Sequence, residues 1–396
     1  MTKQGIAVGV IGAGSIAEIA HFPAIRDEPS TKLVAVCDTD KDRVKAAAKK
    51  WGAAGWYTDY LDMLSKEKLD LVIIATPNYL HFEQALATAD AGAHAIIEKP
   101  MACTNTEAWD IVDAFKKKSL KVMVGCNQRF WLQHEIGKHL IEEGVIGDVK
   151  MGRSSLHEDW RTYQLNVAAG DFRVKPEETA AATLFDQGSH RVDLLTWLVG
   201  SPVKRVVGLD RLVANSVESG IADDAAWVLM EFENGAIGTV STDKFSPVVS
   251  NITEIYGTEG TMFLSSEATN PFQSAPLAIY TAKDYDWDSL PEEIRDYRYP
   301  TTFWVNESPI AKSLEKRWVS IYPPRKWAYT RMLHHFIECV ESDRECIIKP
   351  EDGAMTMEVL CGVFQSMTTN GWVDLPMPEE VIPPHYTKKR MHRQQR

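Results

Sequence analysis

No apolar run in the 396 residues reaches the roughly 18 uncharged positions that a membrane-crossing helix needs. The longest early run, Ile6 to Ile11, is short, and no cleavage pattern of a secretory leader follows it. The expectation is a cytoplasmic protein with no membrane partner. Positive charge is also in deficit: the formal net charge is −12, which excludes a general nucleic-acid surface. Cysteine is sparse, and Cys37, Cys103, Cys126, Cys339, Cys346 and Cys361 form no C-x-x-C pair, so they read as reduced structural thiols. Low-complexity sequence is missing as well. What remains is ordinary globular composition, 44% hydrophobic and 25% charged, in a chain long enough for two cores.

The first 128 residues alternate between short apolar runs and helical stretches. Ile6 to Ile11 reads as a buried strand and leads directly into Gly12-Ala13-Gly14-Ser15-Ile16-Ala17, with a helix continuing through Glu18 to Ile25. This is G-x-G-x-x-A in a strand–turn–helix setting. Gly12 permits the turn, Gly14 lets a pyrophosphate approach the backbone, and Ala17 allows close packing of helix on sheet. The N–H groups of the first turn, at Ser15 and Ile16, are placed to hold phosphate oxygens. The next strand, Leu33 to Cys37, ends at Asp38, whose carboxylate can accept both ribose hydroxyls and repel a 2′-phosphate. That favours NAD over NADP. Arg43, one turn into the next helix, softens the preference, and capping of that helix is the bland alternative for Asp38.

Further strands are predicted at Leu71–Ala75, Ala93–Ile97 and Lys121–Gly125, each followed by helix or turn. The period of repeated βα units predicts a doubly wound α/β sheet whose ligand crevice lies at the strand C-termini. Polar residues recur there: Asp38, Thr76, Asn78, Glu98, Lys99, Asn127 and Arg129. Beyond Gly144-Val145-Ile146-Gly147 the pattern changes to strands at 148–157, 204–212, 225–232, 236–241 and 251–264, a largely antiparallel α+β arrangement interrupted by a helix at 181–198. We divide the chain into a dinucleotide-binding domain (1–128), a substrate-binding and oligomerisation domain (129–380) and a basic tail (381–396). The segment from Tyr280 to Tyr329 is dense in Tyr, Trp and Phe, and reads as an excursion packed over the sheet, a subunit contact or an aromatic wall for a sugar ring.

Hydride transfer from an alcohol needs a group to take the hydroxyl proton and a donor to favour alkoxide character. Lys99 stands at a strand end between Glu98 and Pro100, where it can face such a crevice. Asp186, His190 and Asp193 are spaced by four and three, so they can share a helical face. An imidazole exchanges protons near neutral pH. Asp186 is read as binding a substrate hydroxyl or adjusting Lys99, and Asp193 as orienting His190. The same trio resembles hard-metal ligation, but a structural zinc needs about four ligands and no complement is found, so no metal is expected.

Taken in order, these marks resemble the glucose–fructose oxidoreductase/inositol dehydrogenase/rhizopine-catabolism (Gfo/Idh/MocA) oxidoreductase superfamily, over roughly residues 5–376. They are the glycine turn, Thr76-Pro77-Asn78 with His81, Glu98-Lys99-Pro100, Asn127 and Arg129, Gly144 to Gly147, Asp186-x-Gly188-x-His190-x-x-Asp193, and Pro350-Glu351-Asp352-Gly353. The resemblance implies a Rossmann domain followed by an α/β domain with a large open, mostly antiparallel sheet that often supports homodimers or homotetramers. It implies cofactor contacts from Gly12, Gly14, Ser15, Ile16, Asp38, Arg43, Thr76, Asn78, His81, Glu98, Lys99 and Asn127. Lys99 and His190 are then the catalytic pair, with Asp186 binding or polarising the substrate.

One departure stands out: where many relatives carry glycines ahead of the aspartate motif, this chain has Ala180-Ala181-Ala182, whose methyl groups reshape the substrate side. Arg129, Trp160, Arg161, Tyr163 and Arg173 are further candidates for substrate contact, the aromatics by stacking on a sugar. The expected activity is NAD(P)-dependent hydride transfer at a ring hydroxyl or ketone of a sugar, glycoside or cyclic polyol. A glycoside-processing enzyme that oxidises transiently and eliminates, and a non-enzymatic dinucleotide-binding regulator, are the alternatives.

Overall fold

The computed structural model describes residues 5–159, 175, 178, 180–214, 223–247, 250–265, 275–300, 318–384 and 386. The first half forms a six-stranded, all-parallel sheet in the order β3-β2-β1-β4-β5-β6. Its strands are β1 (Ile6–Ile11), β2 (Thr31–Cys37), β3 (Gly55–Tyr57), β4 (Leu71–Ile74), β5 (His94–Ile97) and β6 (Val122–Val124). Every residue of β4 is buried, as expected of a strand covered on both faces. Strand order reverses between β1 and β4, and that switch point opens the ligand crevice.

The connecting helices include α1 (Phe22–Asp27), α2 (Lys41–Trp51), α3 (Tyr60–Lys66), α4 (His81–Asp90) and α5 (Asn105–Lys117). Asp40 caps α2 by accepting from the backbone N–H groups of Asp42 and Arg43, both at 3.0 Å. The cap is therefore Asp40, and Asp38 is left for other work. The first crossover is not the regular helix expected from its periodicity. It opens with a single π-helical turn, Ala17–His21, before α1.

The second half builds a ten-stranded sheet in the order β14-β15-β13-β12-β11-β7-β10-β9-β8-β16. Its strands are β7 (Val149–His157), β8 (Val203–Arg211), β9 (Ala225–Phe232), β10 (Ile237–Asp243), β11 (Ser250–Gly257), β12 (Gly260–Ser265), β13 (Leu277–Thr281), β14 (Arg298–Pro300), β15 (Trp318–Ile321) and β16 (Val373–Asp374). All pairings are antiparallel except β7 with β10. The aromatic segment is thus partly sheet, because β14, β15 and the end of β13 belong to it.

On one face lie α6 (Leu132–Glu142), α7 (Ser189–Val199) and α9 (Pro350–Thr369), while α8 (Ala328–Ser342) packs on α1 and on the turns Ala17–His21 and Asn127–Phe130 of the first half. A side chain at Gly152 would collide with Leu195 of α7 and one at Gly238 would crowd it, so two glycines let this helix close on the sheet. Helix α9 packs against both β8 and α5, joining the two halves. A second π-helical turn, Leu184–Gly188, precedes α7. Both π turns border the crevice, in keeping with the concentration of such irregularities at functional sites.

Candidate active site

A crevice of about 1040 Å³ runs along the C-terminal ends of β1, β2, β4 and β5 to the π turn of the second half. Gly12, at φ +97°, forms its floor. A Cβ there would lie 2.5 Å from the Ala75 carbonyl oxygen, so no side chain fits. Gly14 is the opposite case: its Cβ would meet nothing within 4 Å, leaving the backbone open to the cavity. This is the room a pyrophosphate needs beside Ser15 and Ile16, which also line the crevice. Asp38 accepts the Ala13 N–H at 2.9 Å on Oδ2 and the Asp40 N–H at 2.9 Å on Oδ1. Arg43 Nη1 stands 3.3 Å from its Oδ1. Thr76 and Asn78 line the opposite wall, with Thr76 Oγ1 donating to Gln84 Oε1 at 2.6 Å.

At the far end Lys99 and Asp186 meet. Lys99 Nζ lies 2.5 Å from Asp186 Oδ1 and 3.2 Å from the Asp186 carbonyl oxygen. The other carboxylate oxygen, Oδ2, accepts from Lys244 Nζ at 2.7 Å. Behind Lys99, buried Glu98 accepts from His21 Nε2 at 2.8 Å. Burial works to raise the Glu98 pKa, yet the His21 hydrogen bond and the nearby charges of His21 and Lys99 hold it below the ordinary carboxylate value. His190 follows Asp186 by one turn. Burial, reinforced by the charges of Lys99, Arg191 and Lys244, drives its pKa well below that of a free imidazole, against the pull of Asp186. The ring is therefore neutral near pH 7, as a proton acceptor must be. Its Nδ1 is buried with no hydrogen-bond partner.

The profile described as "Oxidoreductase family, NAD-binding Rossmann fold" matches residues 6–126, and the "GFO/IDH/MocA C-terminal domain" matches residues 136–263. Levoglucosan dehydrogenase of Pseudarthrobacter phenanthrenivorans is 30% identical over 303 residues, 69% of this chain and 76% of that one. The chain belongs to the GFO/IDH/MocA oxidoreductase family. A second relative, scyllo-inositol 2-dehydrogenase (NAD(+)) of Bacillus subtilis, is 24% identical over 359 residues, 90% of this chain and 92% of that protein. The solved levoglucosan dehydrogenase–NADH complex superposes with a TM-score of 0.76 at 25% identity, covering 94% of this chain and 100% of that structure. The protein is an NAD-dependent oxidoreductase, and the open Gly14 backbone and the carboxylate of Asp38 fit that cofactor.

Not every expected residue of this family member faces the crevice. Arg129 lies outside the crevice lining. It is buried and bonds Asp193 through Nε and Nη2 at 2.9 and 2.6 Å, Asp352 Oδ2 at 2.8 Å and the Ile347 carbonyl at 3.0 Å. That same bond takes Asp193 away from His190, which it was expected to orient. His81 is fully buried, with Nδ1 2.9 Å from the Pro100 carbonyl and Nε2 2.8 Å from the Thr76 carbonyl. It ties the ends of β4 and β5 together from outside the crevice lining. Burial outweighs these two carbonyls and lowers its pKa. Asn127 opens the 3-10 turn after β6, outside the crevice lining, with its Oδ1 buried and unpartnered. Trp160, Arg161, Tyr163 and Arg173 lie outside the described residues.

Ala181 and Ala182 line the crevice at the end where Asp186 stands. A neighbouring cluster, His335, Cys339 and Cys346, gathers three donors outside the lining. They are already engaged, because the Ile347 N–H donates to His335 Nε2 at 2.9 Å and the Cys339 thiol lies 3.4 Å from the Glu345 carbonyl. Sequence reasoning missed Lys244, Gln84 and His21. For Lys244 the available signal was its place just past a strand end, the same context that singled out Lys99.

Proposed function

We propose that this protein oxidises a ring hydroxyl of a sugar, glycoside or cyclic polyol, or reduces the matching ketone, with His190 as proton acceptor in the oxidising direction. Lys99 steadies the substrate oxygen by hydrogen bonding, and Asp186 orients Lys99 and binds a neighbouring hydroxyl. The observation that carries the reading is the meeting of Lys99, just past β5 of the first half, with Asp186, in the turn before α7 of the second, at one end of the cofactor crevice. The levoglucosan and scyllo-inositol dehydrogenases among its relatives support the substrate class. When bound, NAD supplies the hydride acceptor. Gly12 to Ile16 would hold its pyrophosphate, Asp38 its adenosine ribose, and Thr76, Asn78 and Glu98 its nicotinamide half. Excluding water and positioning the alcohol are the tasks left to the protein.

The test is NADH formation across levoglucosan, scyllo- and myo-inositol, free hexoses and methyl glucosides. Release of sugar from a glycoside without net NADH would instead favour transient oxidation and elimination. A purified protein that binds NADH but turns over none of these would favour a regulator.

The neutral state of His190 sets a pH expectation. The acid limb of kcat/KM, where the base becomes protonated, lies below about 6.5, the value of an unperturbed imidazole. A limb at or above that value would remove His190 as the base. For the cofactor, Asp38→Ser removes the carboxylate that repels a 2′-phosphate and leaves Arg43 in place to attract one. The ratio of kcat/KM for NAD to that for NADP falls by roughly 10-fold or more.

We also read the protein as a cytoplasmic homo-oligomer. All six cysteines are buried free thiols, which suits a reducing compartment. No helix among the described residues is long and apolar enough to cross a membrane. Trp227, 61% exposed, shares the outward sheet face with exposed Met151, Leu209 and Ile237, an apolar surface that a second copy would cover.

A further inference from the structure

Lys244 stands directly after β10, and its side chain is only 2% exposed. A buried ammonium is costly unless it is paired. Among the described residues it pairs with Asp186 Oδ2 at 2.7 Å and Glu158 Oε1 at 3.4 Å. The pairing follows from sheet register. Strands β7 and β10 run parallel with His157 opposite Asp243, so the next residue of each, Glu158 and Lys244, emerge side by side. The Glu158 N–H donates to the Asp243 carbonyl and the Lys244 N–H to the Asp224 carbonyl, fixing both backbones. Lys99 and Asp186 line the crevice, whereas Lys244 lies behind them, outside its lining.

The result is a row of alternating charge: Lys99, Asp186, Lys244, Glu158. Each Asp186 oxygen is committed to a different ammonium. A carboxylate facing one cation alone can swing to offer it both oxygens, which would draw Lys99 away from a substrate oxygen. One anchored on its far side cannot.

We propose that Lys244 is a positioning residue for hydride transfer, holding Asp186 so that a single oxygen meets Lys99, with Glu158 balancing the added charge. The inference builds on the catalytic reading of Lys99 and Asp186 given above. It assigns Lys244 no contact with substrate.

The experiment uses the full-length enzyme, NAD and whichever sugar or polyol of the panel above is oxidised fastest. Lys244→Met keeps length and removes charge. It is expected to lower kcat by roughly 30-fold while substrate KM and the NADH dissociation constant stay within about twofold. Lys244→Arg restores most of the loss. Adding Glu158→Gln to Lys244→Met recovers turnover several-fold, because the unbalanced carboxylate is gone; a role in packing alone would not respond to that second change. If Lys244→Met does not fold, Glu158→Gln alone carries the test, with kcat lowered about threefold at unchanged KM and NADH affinity. Near-normal kcat in Lys244→Met, or in Glu158→Gln where that variant carries the test, overturns the inference, as does equal loss in the Arg and Met variants with no recovery in the double variant. Lys99→Ala run in parallel separates the two levels: if it too is fully active, the catalytic reading itself has failed.

Discussion

Lys99→Ala and His190→Ala are each expected to lower turnover by roughly 100-fold or more, with NADH binding within about twofold and the thermal transition little moved. The two losses have different origins. Lys99 Nζ is held 2.5 Å from Asp186, so its removal takes away the proposed donor to the substrate oxygen while the Asp186–Lys244 pair stays in place. Burial holds the His190 pKa well below that of a free imidazole, so its removal takes away the proposed acceptor of the hydroxyl proton. If the two groups act on one oxygen, as proposed above, their losses should not add: the double variant is expected to be only slightly worse than either single one. Steady-state kinetics on the four proteins, with NADH fluorescence titration as the control, checks this. Independent, multiplying losses would mean that the two residues serve separate steps.

The parts of this site that could be read from the sequence are those fixed by local pattern. The parallel sheet showed itself because strands covered on both faces are continuous apolar runs, as in Leu71 to Ile74. The glycine turn showed itself because the demands on Gly12 and Gly14 are met within a few residues. Asp186 and His190 were visible as a spacing of four. The π turns at Ala17–His21 and Leu184–Gly188 were not, since a one-residue slip in helical hydrogen bonding leaves side-chain chemistry unchanged.

The strand-end position of Lys244 was legible, but its role was hidden for a different reason. Its partners Asp186 and Glu158 are 58 and 86 residues away, Glu158 brought beside it by the register of β7 and β10 and Asp186 by the turn before α7, and no local pattern specifies either meeting. Arg129 was misplaced by the same blindness. An arginine past a strand end looks alike whether it faces a cleft or a core, and its deciding partners lie 64 and 223 residues away.

That placement of Arg129 carries the second large effect. Arg129→Met is expected to destabilise the fold by about 3–5 kcal/mol, because it leaves the fully buried Asp193 without its counter-charge. Burial disfavours the charged guanidinium, but Asp193 and Asp352 outweigh it and raise the Arg129 pKa, so the cation persists throughout the range in which the protein is folded. Its plane also lies over the Trp197 ring at 5.5 Å. Asp193 belongs to α7, which carries His190, and Asp352 to the first turn of α9, so the arginine clamps two helices of the second half to the end of β6.

Loss of the clamp should appear as a fall in the thermal midpoint on the order of 10 °C. Changing Asp193 to Asn in the same protein removes the orphaned charge and should return part of the loss. A substrate-binding arginine would behave in the opposite way, raising KM with the midpoint unchanged. Differential scanning calorimetry of Arg129→Met and Arg129→Met/Asp193→Asn, beside KM for the best substrate, decides between the two. An unmoved midpoint with a raised KM would return Arg129 to the substrate pocket.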